Sequence, residues 1–264
     1  MPSATGLTAD GGNMRQLATY AALLAFLAPL AQADNLKAEV GAYRWSYDIS
    51  GSVRYKSGNS ADDIDVNDDL GYNDDNLNSY YVTFEHPLPV LPNIRISRTN
   101  IDSSANGRLS KTVNYGNNTF VVNDNVSSEV KLDQTDVTMY YQLFDTVLNV
   151  DLGLNAKYID SRSRITGAIS GTETADISGW VPMLYAGFGA DLPFTGLSIS
   201  ADGSFAGYQD STFYDYTLKA SYITPWYLGV DVGYRAIRLN LDDFDNSYAD
   251  IEFDGPFAGA HLKF

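Results

Sequence analysis

Two histidines, His86 and His261, are the only imidazoles in the 264 residues, and there is no cysteine. General acid–base catalysis near neutral pH most often uses a histidine beside a carboxylate, and an activated serine needs the same base. Without cysteine, thiol catalysis, zinc-thiolate sites and disulfides are excluded. Aspartates such as Asp102, Asp133, Asp160 and Asp210 are plentiful, but none has a histidine near it in the chain. Gly187-Phe188-Gly189 lacks the third glycine and the following helix of a nucleotide-binding turn, so it reads as close strand packing.

Acidic side chains crowd two places. Asp62, Asp63, Asp65, Asp68, Asp69, Asp74 and Asp75 form one run, and Asp242, Asp243 and Asp245 a second. Calcium takes several carboxylate and carbonyl oxygens, and Asp63-Ile64-Asp65-Val66-Asn67 offers them at alternate positions. However, the sixth position of such a loop needs glycine and holds Asp68, and the closing glutamate is absent. A solvated acidic loop is therefore the stronger expectation, with divalent cations as possible partners. Lys and Arg total 17 against 33 Asp and Glu, a net charge of −16, which disfavours nucleic acid as a partner and favours cations.

The elements that carry these residues read as strands. From Leu148 to Tyr158, Leu148, Val150, Leu152, Leu154, Ala156 and Tyr158 fall on one face, and Asn149, Asp151, Gly153, Asn155 and Lys157 on the other. Period-two alternation is the signature of a strand with unlike faces. It recurs often enough to predict ten strands, near 36–56, 77–86, 93–103, 128–144, 147–161, 175–192, 196–208, 211–223, 226–240 and 248–264. After Ala236 the apolar set moves to Ile237, Leu239 and Leu241, which suggests a β-bulge. Short connections, three of four containing proline, alternate with connections that are mostly longer and rich in Asp, Asn, Ser and Gly. Pro182 and Pro256 fall inside strands, so each is expected at a strand start, a bulge or a weakly paired position.

Two ends of the chain add to this picture. Met14-Arg15 opens an apolar run, Leu17 to Leu30, that closes at Ala31-Gln32-Ala33. That pattern is a cleavable signal peptide, and its 14 apolar residues are too few to span a bilayer. The expected organisation is an N-terminal extension and signal peptide over 1–33 and a β-barrel over 34–264. The chain ends Pro256-Phe257-Ala258-Gly259-Ala260-His261-Leu262-Lys263-Phe264, apolar at alternate positions back from the last residue. This is similar to the C-terminal signal by which outer-membrane proteins engage the barrel-assembly machinery. Tyr43, Trp45, Tyr47, Tyr80, Tyr81, Phe84, Trp180, Trp226, Tyr227, Tyr248 and Phe253 lie toward strand ends, as interfacial aromatic girdles would.

Asp68-Asp69-Leu70-Gly71-Tyr72, the stretch Tyr81 to Ile94 with its His86-Pro87-Leu88-Pro89, and Tyr140 to Asp160 resemble a functionally uncharacterised family of proteobacterial outer-membrane β-barrel proteins. The resemblance implies location and fold but no catalytic or cofactor residues. Together these readings predict an all-β, transmembrane, antiparallel up-and-down barrel of about ten strands in the Gram-negative cell outer membrane. Lipid and lipopolysaccharide are its expected surroundings, with divalent ions bridging the acidic loops to phosphates as one possibility. The inward face mixes Lys37, Glu39, Glu85, Arg95, Asp151, Lys157, Asp191, Asp202, Asp215, Lys219, Asp231, Arg235 and Lys263, which predicts a lumen plugged by paired charge in so narrow a barrel. A structural or interaction barrel is the leading expectation, and a small cation-preferring channel is the alternative. An outer-leaflet hydrolase ranks lower, because both histidines fall at the end away from the long loops. No enzymatic activity, catalytic residue, metal site or cofactor is expected.

Overall fold

The computed structural model describes residues 36–55, 62–115, 118–244 and 247–264, so the leader lies outside it. The strands are β1 (Lys37–Tyr55), β2 (Ile64–Asp65), β3 (Asp75–Glu85), β4 (Asn93–Arg108), β5 (Val113–Tyr115), β6 (Asn118–Phe120), β7 (Asn125–Asp145), β8 (Leu148–Gly167), β9 (Gly171–Leu192), β10 (Leu197–Tyr208), β11 (Ser211–Ile223), β12 (Leu228–Phe244) and β13 (Ser247–Lys263). Leaving aside the short β2, β5 and β6, each strand pairs antiparallel with its neighbours in the chain, and β13 returns to β1. The result is a closed meander of ten long strands, matching the predicted set. Ala38 and Phe264 complete the closure by exchanging backbone hydrogen bonds of 3.0 and 2.8 Å. A closed sheet leaves no unpaired edge.

Both chain ends and the connections 86–92, 146–147, 193–196 and 224–227 lie at one end of the barrel, the turn end. The loop end carries the connections between β1 and β3, β4 and β7, β8 and β9, β10 and β11, and β12 and β13. Of these the β10–β11 link is only Gln209-Asp210, with Gln209 at φ 53.

The polarity of the wall inverts partway up the strands. On β8 the outward positions from Leu148 to Tyr158 are apolar or aromatic, and the next four are Asp160, Arg162, Arg164 and Thr166. On β12, Leu228, Val230, Val232 and Tyr234 face out below Arg238 and Asn240. The outward apolar run is thus about the 9 to 11 residues that a tilted strand needs to cross a hydrocarbon layer. The interior inverts in the opposite sense. Inward residues of the turn-side half are polar or charged, whereas nearer the loop end Trp45, Tyr47, Ile49, Ile101, Val126, Ile165, Ile237 and Phe253 form one buried cluster. Two loops join it, through Val66, Leu70 and Tyr72 and through Leu109, Val113, Tyr115 and Phe120. Gly71, at φ +80, lets the first loop pass over β4, because a Cβ there would lie 2.5 Å from the Asn106 carbonyl oxygen.

This inversion corrects two expectations. There is no bulge after Ala236: β12 stays in register with β11 and β13 from Arg235 through Asn240. Ile237 and Leu239 continue on the same inward face as Asp231 and Arg235, so it is the environment that changes and not the register. The register shift on β12 comes later, between Leu241 and Phe244. Tyr43, Trp45, Tyr47, Tyr81 and Phe253 likewise point inward and are not part of a girdle. The outward aromatic pairs are Tyr158–Trp180 and Phe205–Tyr214, with ring centroids 5.1 and 5.0 Å apart.

Both internal prolines occupy weakly paired positions, as expected. Pro182 pairs with Ala156 on β8, but the β9–β10 ladder stops at Leu184. At Pro256 and Gly255 the β1–β13 ladder omits the pairs with Ser46 and Tyr47. The indole Nε1 of Trp45 donates 3.1 Å to the Gly255 carbonyl at that gap.

Candidate functional site

The inward face of a strand presents every second residue, so ten strands bring polar side chains from distant parts of the sequence into one lumen. At mid-height they form a closed layer. Lys157 is fully buried, and its Nζ donates to Asp215 at 2.7 Å, to Asp136 at 2.9 Å and to Gln134 at 3.2 Å. Arg235 holds Asp215 with two nitrogens, at 2.8 and 3.1 Å, and donates to the Tyr43 and Thr99 hydroxyls. Its guanidinium stacks over Trp45 at 5.1 Å, which joins the ionic layer to the apolar core above. Buried charges are tolerable only when each is paired and hydrogen-bonded, and here two cations meet two carboxylates. The predicted charge plug is present, with Asp136 as a member that was not singled out from the sequence.

Beneath that layer lies a chamber of about 50 Å³, lined in part by Arg95, Asp136, Asn155, Asp202 and Arg235. Arg95 and Asp202, 3.6 Å apart, and Tyr185 also line a larger cavity of about 330 Å³ on the turn side. Four bases line this vestibule, Lys37, Arg95, Lys219 and Lys263, against six acids, Glu39, Glu85, Asp145, Asp151, Asp191 and Asp202. Most are partnered: Lys37 with Asp145 at 3.0 Å, Glu85 with the Tyr140 hydroxyl at 2.8 Å, and Glu39 with the Tyr81 hydroxyl at 2.7 Å. Asp151 is the exception, for its buried Oδ1 has no hydrogen-bond partner, and neither does the buried Oδ1 of Asn149.

His261 reaches the same vestibule, and its Nδ1 lies 2.8 Å from Asp231. Ser221 also hydrogen-bonds Asp231, so the carboxylate stands between hydroxyl and imidazole. A serine nucleophile needs the imidazole as its direct neighbour, and this order does not provide that. His86 sits in the β3–β4 turn, where it meets the Pro92 carbonyl and the Leu88 amide. Asp102, Asp133 and Asp160 face outward on their strands, with Asp133 held by Arg98 and Asn100, and Asp102 near Lys131 at 3.6 Å. The structure does not bring any of the three to either histidine.

No protein-family model matches the chain, and no curated protein does. Among solved structures it is similar to the translocator domain of the autotransporter NalP from Neisseria meningitidis, at TM-score 0.45 and 12% identity over 95% of this chain and 98% of that one. It is also similar to neisserial surface protein A, at TM-score 0.32 and 11% identity over 87% and 97%, and to the Pseudomonas putida toluene transporter TodX, at 0.33 and 8% over 88% and 90%. All three are bacterial β-barrels, and at these TM-scores the likeness carries no argument about activity. Of the family resemblance at residues 68–94 and 140–160, what stands is the barrel.

The acidic loop works as local scaffolding. Asp65 caps the amides of Asn67 and Asp68, Asp69 accepts from the Asp65 amide and the Ser110 hydroxyl, and Asp63 pairs with Arg54 at 2.7 Å. Asp62 accepts from the backbone and side chain of Asn114, which together hold its carboxyl below the usual range. Among the described residues no three His, Asp or Glu side chains converge as a metal would need. The second acidic run lies at the top of β12, where the Asp242 amide meets the Ser211 hydroxyl and Asp245 falls outside the described residues.

Proposed function

We propose that the chain is an integral outer-membrane β-barrel with its turn end in the periplasm, acting as a closed structural or interaction barrel and not as a through-channel. One observation carries the reading: the outward apolar run and the buried apolar cluster occupy different heights of the same strands. Lipid favours an apolar exterior around a polar interior, and water favours the reverse. A wall that inverts midway fits a barrel immersed in lipid along its turn-side half and standing in water along its loop-side half. Short turns on one side and longer polar loops on the other support the orientation, since bacterial barrels place turns in the periplasm.

Within this reading, lipid and lipopolysaccharide surround the apolar run, and the β13 residues Ala258, Ala260 and Leu262 with Phe264 form the strand that the assembly machinery engages. The surface available for interaction is the loop end, where acidic loops packed by their own core present a rigid face. No reaction is assigned, because the interior Ser221–Asp231–His261 group lacks the hydroxyl–imidazole contact.

Membrane fractionation combined with unheated gel electrophoresis tests the reading. An outer-membrane barrel partitions with the outer membrane and migrates faster before boiling than after. Recovery in the soluble periplasm, or migration that does not change on boiling, would refute it.

A further inference from the structure

We infer that the vestibule binds a small organic ammonium ion, with Asp151 as its counter-ion. The cavity of about 330 Å³ has two more acids than bases on its walls, six against four. The imbalance has a place. Asp145, Asp202 and Glu85 each have a basic or hydroxyl partner, and Asp151 has none, with its Oδ1 buried and unbonded. Asn149, the next inward residue on β8, presents a second buried and unbonded oxygen. Two acceptors without donors, about 7 Å apart at strand spacing, call for a group that brings several N–H donors and a positive charge. An ammonium does both.

The surroundings favour an organic cation over a metal ion. Two oxygens are fewer than calcium or magnesium needs, and the described residues include no converging set of three ligating groups. Tyr140 and Tyr185, with rings 5.7 Å apart, line the same cavity and offer faces to an alkylammonium, which binds aromatic rings through their quadrupole. Space for the alkyl portion comes from β9, where Gly187 and Gly189 stand opposite Asp151 and Asn149. A Cβ on Gly187 would lie 3.1 Å from the Tyr185 hydroxyl and 3.3 Å from the Asp151 carboxylate, so any side chain there intrudes on the site. The glycines that read as tight packing in the sequence are the floor of this pocket.

The site is a property of the folded barrel, and only the compartment that supplies its guest rests on the proposed orientation. Calorimetric titration of the purified barrel in detergent, checked as folded by its heat-dependent gel shift, uses butylammonium chloride as probe, with butanol and calcium chloride as controls. Butylammonium should bind with saturation, and the controls should not. Asp151→Asn should weaken butylammonium at least tenfold while keeping the gel shift, because this neutral isostere removes an unpaired charge. Gly187→Ala should weaken it without changing the charge. Equal binding by butanol, retained affinity in Asp151→Asn, or no binding by a barrel with an intact gel shift would overturn the inference, and loss of the gel shift in the wild-type chain would count against the proposed barrel instead.

Discussion

Lys157 illustrates how much a single inward residue can control. Its ammonium is fully buried and shared among Asp136, Asp215 and Gln134. Removing one member of a buried ionic group leaves the others unpaired, so Lys157→Met should destabilise the barrel by about 3–5 kcal/mol. Adding Asp136→Asn should restore part of that loss, as measured by denaturant unfolding in detergent. Asp124 makes a pH-dependent contribution at the loop end. It accepts from the Ser170 hydroxyl at 2.6 Å and from the Ser170 and Ile169 amides, and these bonds, the hydroxyl first, hold its carboxyl below the ordinary range. A depressed folded value means the contribution is complete above the unfolded value of about 3.9 and is lost as pH falls through the lower folded one. Amide exchange over residues 109–125 should therefore accelerate only in strong acid for the wild type, and already at neutral pH for Asp124→Asn.

At the scale of the strand, the polarity inversion divides each long element into two segments that tolerate opposite substitutions. Val232 faces outward within the apolar run and Asn240 faces outward above it, on the same face of β12. Val232→Arg should cost about 2–4 kcal/mol of folding in a bilayer, whereas Asn240→Arg, beside Asp250, should stay within about 0.5 kcal/mol. Refolding into lipid vesicles followed by gel shift reads both, and equal effects would remove the inversion. The ten strands were legible because alternation needs only side-chain type. The boundary within them was not, because Ile237 and Leu239 obey the same period of two as Val230 and Val232 on the opposite face, and a one-dimensional pattern records such a change as a slip. The aromatic residues of β1 were misplaced for a related reason: proximity to a strand end says nothing about which face a residue occupies.

At the scale of the whole molecule, the Lys157–Arg235 layer and the apolar cluster above it lie across the path from vestibule to loop end. Planar-bilayer recordings of the purified chain should show no steady ion conductance. Replacing Trp45 and Arg235 together with alanine should open intermittent currents, because the pair joins the ionic layer to the apolar core. Steady current through the wild type would restore the channel reading. The vestibule beneath is also a property of the whole barrel, since Asp151, Tyr140 and Gly187 come from three strands and share a cavity only after closure.

By itself the sequence determined the class of element, the number of long strands, their up-and-down order, the end at which the short turns lie, and the alternation that sends Lys157, Asp215 and Arg235 inward. These follow from local geometry, because a strand's period and a turn's composition are set by neighbouring residues. Only the tertiary structure decided which acids are paired, that Asp151 is not, that His261 meets Asp231 from another strand, and that the loop-side half has an apolar interior. Those facts depend on distances between residues far apart in the chain, set by register and closure, and no pattern along a single strand carries them.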